Sequence, residues 1–200
     1  MKQSERRAKS RAAILDAAFA EFGERGYAGA TVDGVCARGS ISKGMMYHYY
    51  KGKDELFCEC VKEMFSALAG CLGEYLENPD DGDAEALFSG YFMSRERFFA
   101  ANPNMRAVFE DAVLRTPPQL ADEIKRLRGP MRERNRELLN RMLEKTRLRP
   151  GISESETRRW FDAVEALLPE LLSRLCEGGG SAEEQAKLVL GMLLFGLLDG

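Results

Sequence analysis

Lys43, Gly44 and Met45, followed at once by Tyr47, His48 and Tyr49, put an ammonium, a bare stretch of backbone, a thioether, two phenols and the chain's single imidazole within seven residues. On a helix the first three share its opening turn. There Lys43 can donate to guanine O6 and N7 or to a phosphate, and Met45 can pack on a thymine methyl. Tyr47 and His48 lie about one turn further on, where a phenol and an imidazole can hold phosphates and fix register. Taken singly, each has a plainer reading. A lone His is commonly a polar surface residue, Tyr50 suits a core, and Tyr49 suits either. The informative feature is the whole set on one short helix.

Such a set needs elements that aim it. Thr31 is an N-cap residue type, and Val32, Val35 and Cys36 follow at helical spacing on one face. Gly39-Ser40 is turn chemistry. Ser42 can cap a second short helix whose Met46 and Tyr50, four apart, face inward. Two short helices joined by a tight turn form a helix-turn-helix, whose second helix can enter the DNA major groove.

These residues carry a family likeness. Ser42-Lys43-Gly44, Tyr47-His48-Tyr49-Tyr50 and Lys53-Asp54-Glu55-Leu56-Phe57 resemble the N-terminal signature of TetR-family transcriptional regulators, and the match runs from about Arg11 to Phe57. The chain departs from that pattern in three places. It has Gly39-Ser40 where the family usually has Ala-Gly, Gly34 inside the first short helix, and Met45 where Thr, Ala or Ser is common. A helix-interior Gly costs about 1 kcal/mol against Ala.

The resemblance implies an all-α fold with an N-terminal three-helix domain, residues 1–52, and a helical ligand-binding and dimerisation domain, residues 53–200. It implies double-stranded operator DNA as a partner. The candidate contact set is Thr31, Ser42, Lys43, Gly44, Met45, Tyr47, His48, Tyr49 and Lys53. A homodimer through the last two helices is implied as well, with a small-molecule effector held between the body helices. Candidates for that pocket are Phe65, Phe88, Phe92, Met105, Phe109 and Trp160, each equally suited to plain core packing.

Composition agrees with this division. Residues 1–53 carry ten Lys or Arg against five Asp or Glu, so the net charge of −3 conceals a +5 end on a −8 body. A basic end on an acidic body suits polyanion binding at one end, although a solvated basic tail has the same charge. Hydrophobic residues make up 44% of the chain, enough to supply a core. No apolar run approaches the ~20 residues that span a bilayer, and no secretory leader pattern is present, so the expected location is the cytoplasm. Five cysteines without framework spacing suit a reducing compartment.

In order along the chain, residues 1–10 read as a mobile basic arm whose Lys2, Arg6, Arg7 and Lys9 can touch phosphate or the adjacent minor groove. A helix follows from Arg11 to about Phe22, ended by Gly23 and Gly26, with Leu15, Ala18, Phe19 and Phe22 on one face. Tyr27 reads as cover for the small core. Further helices are expected at about 53–76, 84–100 and 103–114, then at 119–147 with a break at Gly129-Pro130. Ser153 and Glu156 form a capping-box pattern opening a helix to about Cys176 with Pro169 inside it. EGGGS at 177–181 precedes a last helix, 182–198, in which 188–198 is apolar nearly all round and therefore has to be covered, most simply by a second subunit. No strand pattern or repeat occurs.

The chemistry that is missing narrows the class. There is no GxGxxG, P-loop, HExxH or CxxC, and one His offers little for a catalytic dyad or a metal cluster. No cofactor, metal or enzymatic activity is expected. Cys60 and Cys71, eleven apart on nearly one helix face, leave room for a thiol-sensing regulator, although buried structural thiols have the same spacing. An all-α small-molecule-binding protein or enzyme is the other alternative.

Overall fold

A computed structural model of the chain describes residues 3–80, 82–177 and 179–199. Among these residues the chain forms α1 (Gln3–Gly29), α2 (Val32–Gly39), α3 (Lys43–Tyr49), α4 (Lys53–Glu77), α5 (Ala84–Ala101), α6 (Pro103–Val113), α7 (Ala121–Leu127), α8 (Gly129–Lys145), α9 (Glu154–Leu175) and α10 (Ala182–Leu197). The fold is all-α. A single antiparallel bridge pairs Arg147 with Asp199 and Leu148 with Leu198. Two-residue strands are too short to leave a period-two pattern in sequence.

Packing separates two compact units, Met1–Phe65 with Phe99–Arg128, and Ser66–Phe98 with Gly129–Gly200. The expected boundary at residue 53 is where α4 begins. The packing boundary falls inside α4, because its first half belongs to the core of the first unit. There Phe22 of α1 meets Phe57 of α4 edge-on at 5.0 Å, and Tyr27 lies 4.8 Å from the same ring. Ile14, Ala18, Phe22, Val35, Met46, Leu56 and Phe57 complete this core.

The first helix differs from the sequence reading at both ends. It starts at Gln3 instead of Arg11, so the described part of the expected mobile arm is helical; Lys2 lies outside the described residues. Residues 3–10 contain no Gly or Pro and carry Glu5 in the first turn, which favours a helix start. At the other end Gly23 does not stop the helix. It provides close approach, since a Cβ there would collide with the Asn104 side chain of α6. The break comes at Gly26, whose φ of 64° is the left-handed region.

In the second unit, α5, α8, α9 and α10 surround a core that includes Leu87, Tyr91, Leu138, Leu139, Met142, Phe161, Leu172, Leu190 and Leu194. The capping box at Ser153 and Glu156 is present, with the Ser153 hydroxyl accepting from the Glu156 amide and the Glu156 carboxylate accepting from the Ser153 amide. In the last helix Ala186, Leu190 and Leu194 are buried, but Leu188 and Met192 are 56% and 70% exposed. One apolar face of the helix is therefore left uncovered by its own chain.

A polar network runs through this second core. Tyr91 donates to Asn135 at 2.7 Å, Asn135 donates to Glu165 at 2.6 Å, and Arg95 donates twice to Glu183 at 2.5 and 2.6 Å. One residue each from α8, α9 and α10, and two from α5, meet in it.

Candidate nucleic-acid interface

The two short helices are fixed by caps of the expected kind. Thr31 Oγ1 accepts from the Gly34 amide at 2.9 Å, and Ser42 Oγ accepts from the Met45 amide at 3.1 Å. Between them Ser40 takes the left-handed conformation, φ 50° and ψ 42°, and the Ile41 amide donates back to the Cys36 carbonyl at 2.9 Å. Gly39, in contrast, is required for space: a Cβ would stand 3.0 Å from the Ala17 Cβ and collide with Ile41. Glycine therefore sits where the turn packs on α1, and Ser40 holds the strained backbone.

Gly34 has a similar explanation. Any side chain there would strike the Glu21 carboxylate, which lies almost fully buried between α1 and α2. Glu21 accepts from Arg38 Nε at 2.7 Å and from the Thr31 amide at 3.3 Å, and Arg25 lies 3.4 Å away. Burial alone would push its pKa up. The Arg38 hydrogen bond, the Thr31 amide and the two guanidiniums outweigh that and hold it below the usual carboxylate range.

On α3, Met46 is buried against this scaffold, with Tyr50 of the following residue, while Ser42, Lys43, Gly44, Tyr47 and His48 face outward. Met45 and Tyr49 are half-buried. A Cβ on Gly44 would meet nothing within 4 Å, so the backbone of the first turn is open to an approaching surface. The His48 and Tyr49 rings stand edge-on, 5.1 Å apart. The Tyr49 hydroxyl reaches the Arg7 carbonyl at 3.5 Å, which sets the basic start of α1, with exposed Arg6, Arg7 and Lys9, beside the end of α3. Thus Ser42, Lys43, Gly44, Tyr47 and His48, with half-buried Met45 and Tyr49, form one surface, with Thr31 at the neighbouring helix start.

Lys53 is placed differently from Lys43. Its Nζ donates to the Tyr27 carbonyl at 2.8 Å and lies 4.4 Å over the Tyr27 ring, ending the carbonyl row after the Gly26 break. Tyr27 in turn donates to Asp54 at 2.6 Å, accepts from Gln119 at 2.7 Å, and gives its amide to Asp111 of α6 at 2.5 Å. Burial and the Asp54 carboxylate push the Tyr27 phenol up to about 12. Sequence reasoning missed these carboxylates, as it missed Asp33, whose carboxylate lies 2.8 Å from Lys43 Nζ. No local signal announces a partner ten or eighty-four residues away.

The aromatic candidates for an effector pocket fall into two clusters. Phe65, Phe99 and Phe109 pack together in the first unit, with ring centres 6.1 and 5.0 Å apart. Phe88, Phe92 and Phe195 do so in the second, at 4.9 and 5.3 Å. Met105 is half-buried on α6, and Trp160 is a surface residue of α9, 44% exposed.

Burial holds three of the cysteines, Cys58, Cys60 and Cys71, toward the protonated thiol. Burial drives Cys60 far up, and burial aided by Glu123 raises Cys58 to about 11. Among the described residues no group of three or more metal-ligating side chains comes together.

A capped pair of short helices seated on α1, with an open polar face on the second helix, defines a protein of the helix-turn-helix class. Residues 14–60 match the family of bacterial regulatory proteins called tetR. The chain is 32% identical over 90 residues to IcaR, the negative transcriptional regulator of the icaADBC biofilm operon of Staphylococcus epidermidis, a match covering 42% of this chain and 47% of that protein. It is 38% identical over 60 residues to the transcriptional repressor SCO4008 of Streptomyces coelicolor, covering 30% of this chain and 31% of that one. The matched segment thus spans about half, or less, of these curated relatives. Over its length the fold is similar to that of FadR from Bacillus subtilis, solved with stearoyl-CoA, with a TM-score of 0.65, 16% identity and coverage of 94% and 99%. SmeT, the repressor of the Stenotrophomonas maltophilia efflux pump SmeDEF, gives 0.64, 22% identity and coverage of 94% and 90%.

Proposed function

We propose that this protein is a DNA-binding transcriptional repressor of the cytoplasm, not an enzyme, that grips a pseudo-palindromic operator as a homodimer and is released by a small apolar effector. The observation that carries the reading is the outward face of α3, where Lys43, Gly44, Tyr47 and His48 are presented together on a rigid three-helix core. IcaR and SCO4008, the two curated relatives, are negative regulators. Among the described residues no helix is long and apolar enough to cross a membrane.

Dimerisation is supported by the surface of the second unit. Leu167, Leu171 and Leu175 form an i, i+4, i+8 row along α9, and Leu188, Met192 and Phe195 line the exposed side of α10, all large apolar side chains open to solvent in the single chain. A second copy related by a two-fold axis covers both rows at once. An apolar effector is supported by the aromatic clusters and by analogy with the stearoyl-CoA complex of FadR. Such an effector works by binding the two DNA-spacing states unequally.

The test is a selection of bound sequences from random duplex DNA, followed by the salt dependence of affinity for the winner. An inverted repeat is expected, with a log–log slope of about −0.9 for each phosphate neutralised. Lys43→Ala and Tyr47→Ala should each weaken binding to that duplex while the circular dichroism melt stays put. Undiminished affinity in both variants would sink the reading.

A further inference from the structure

Asp33 and Lys43 face each other across the helix-turn-helix, one in the first turn of α2 and the other in the first turn of α3. The carboxylate and the ammonium are 2.8 Å apart, and both side chains are mostly exposed, 69% and 63%. An exposed pair of this kind contributes little to folding. Its placement gives it another consequence, because the cation it neutralises is the one at the reading end of α3. A carboxylate there is repelled by every phosphate, so it opposes docking on backbone alone. It is also an acceptor, the complement of the cytosine N4 amino group, beside a donor that complements guanine O6 and N7.

Resting on the DNA-binding reading above, the geometry points to Asp33 as a specificity-determining residue: it keeps Lys43 off the phosphates and, together with Lys43, reads G·C content in the major groove. A free Lys43 would be a phosphate hook. Held by Asp33, it is a directional donor whose charge is released only where the groove supplies both acceptors for Lys43 and a donor for Asp33.

The experiment compares the full-length protein with Asp33→Ala and Asp33→Asn on two duplexes, the one enriched from random DNA and a scrambled version. Asp33→Ala should steepen the salt slope on scrambled DNA by about one phosphate contact per subunit, so that for the dimer its gain over wild type grows about twelvefold between 200 and 50 mM salt. Preference for G·C at the contacted position should drop by about tenfold, the range of one good base contact. Asp33→Asn, which loses the charge but keeps an acceptor oxygen, should share the slope change and retain more of the base preference. Wild-type slope and base preference in both variants would overturn the proposal, as would equal weakening on both duplexes, which marks a structural role. If wild type enriches no sequence, the DNA-binding reading itself falls; if it enriches one and the variants match it, only the role of Asp33 does.

Discussion

Replacing Arg95 with Met should be far costlier than replacing Glu183 with Gln, although the two side chains form a single ion pair. Both are almost completely buried, at 5% and 4% exposure, and the guanidinium donates twice to one carboxylate. Arg95 also feels the attraction of Glu165, a second buried carboxylate in the same core. Removing the cation leaves two buried anions behind, whereas neutralising Glu183 leaves Arg95 with Glu165 for company. Stranding one buried charge costs about 3–5 kcal/mol, and Arg95→Met should lie at or above the top of that range. Glu183→Gln keeps an acceptor oxygen and should cost about 1.5–3 kcal/mol, the range of a charged hydrogen bond. The gap amounts to about two orders of magnitude in the folding equilibrium. Urea unfolding followed at 222 nm, at one protein concentration so that any self-association is held constant, measures both. Equal costs for the two variants would refute the reasoning.

Three further outcomes follow from particular contacts. Ser40→Gly should stabilise the first unit by about 1 kcal/mol, read as a raised thermal midpoint, because serine occupies a left-handed backbone position that glycine adopts without strain. Glu21, held below the usual carboxylate range, contributes stability that is complete above its unfolded pKa and is lost as pH falls through the lower, folded value. Acid titration should therefore loosen the α1–α2 clip below about pH 4, and Glu21→Gln should flatten that part of the stability–pH curve while lowering stability at pH 7. Leu171→Glu combined with Met192→Glu should convert a dimer to a monomer in sedimentation equilibrium without unfolding it, since both side chains are exposed in the single chain; a dimer that survives would exclude this face.

How much of this was legible in the sequence depends on the range of the interaction. Caps and breaks act within four residues, and Thr31, Ser42, Ser153 with Glu156, and the interruption at Gly129 all read correctly from residue type. Periodicity located the buried faces of α4 and α8, from Phe57 to Leu68 and at Leu139 and Met142. Close approach between distant elements leaves no such mark. Gly34 looked like a defect in a short helix until the Glu21 carboxylate was found in the space its side chain would need. Gly23 looked like a helix stop, yet it is the point where Asn104 touches α1. The site's residue types were visible; their partners were not.

The two lysines of the expected contact set show what that difference means for function. By sequence Lys43 and Lys53 are the same kind of residue, a cation on or beside a DNA-facing helix. In the fold Lys53 is held by a carbonyl and an aromatic face, uncharged partners at the end of α1 that do not repel a phosphate. Lys43 is held by an exposed carboxylate, which DNA repels and solvent can replace. A cation engaged in that way can be freed where a contact supplies partners for both charges. The distinction lies in the chemistry of the partner and not in the lysine itself, and for that reason residue type at a family position shows where a contact can be made but not whether the side chain is free to make it.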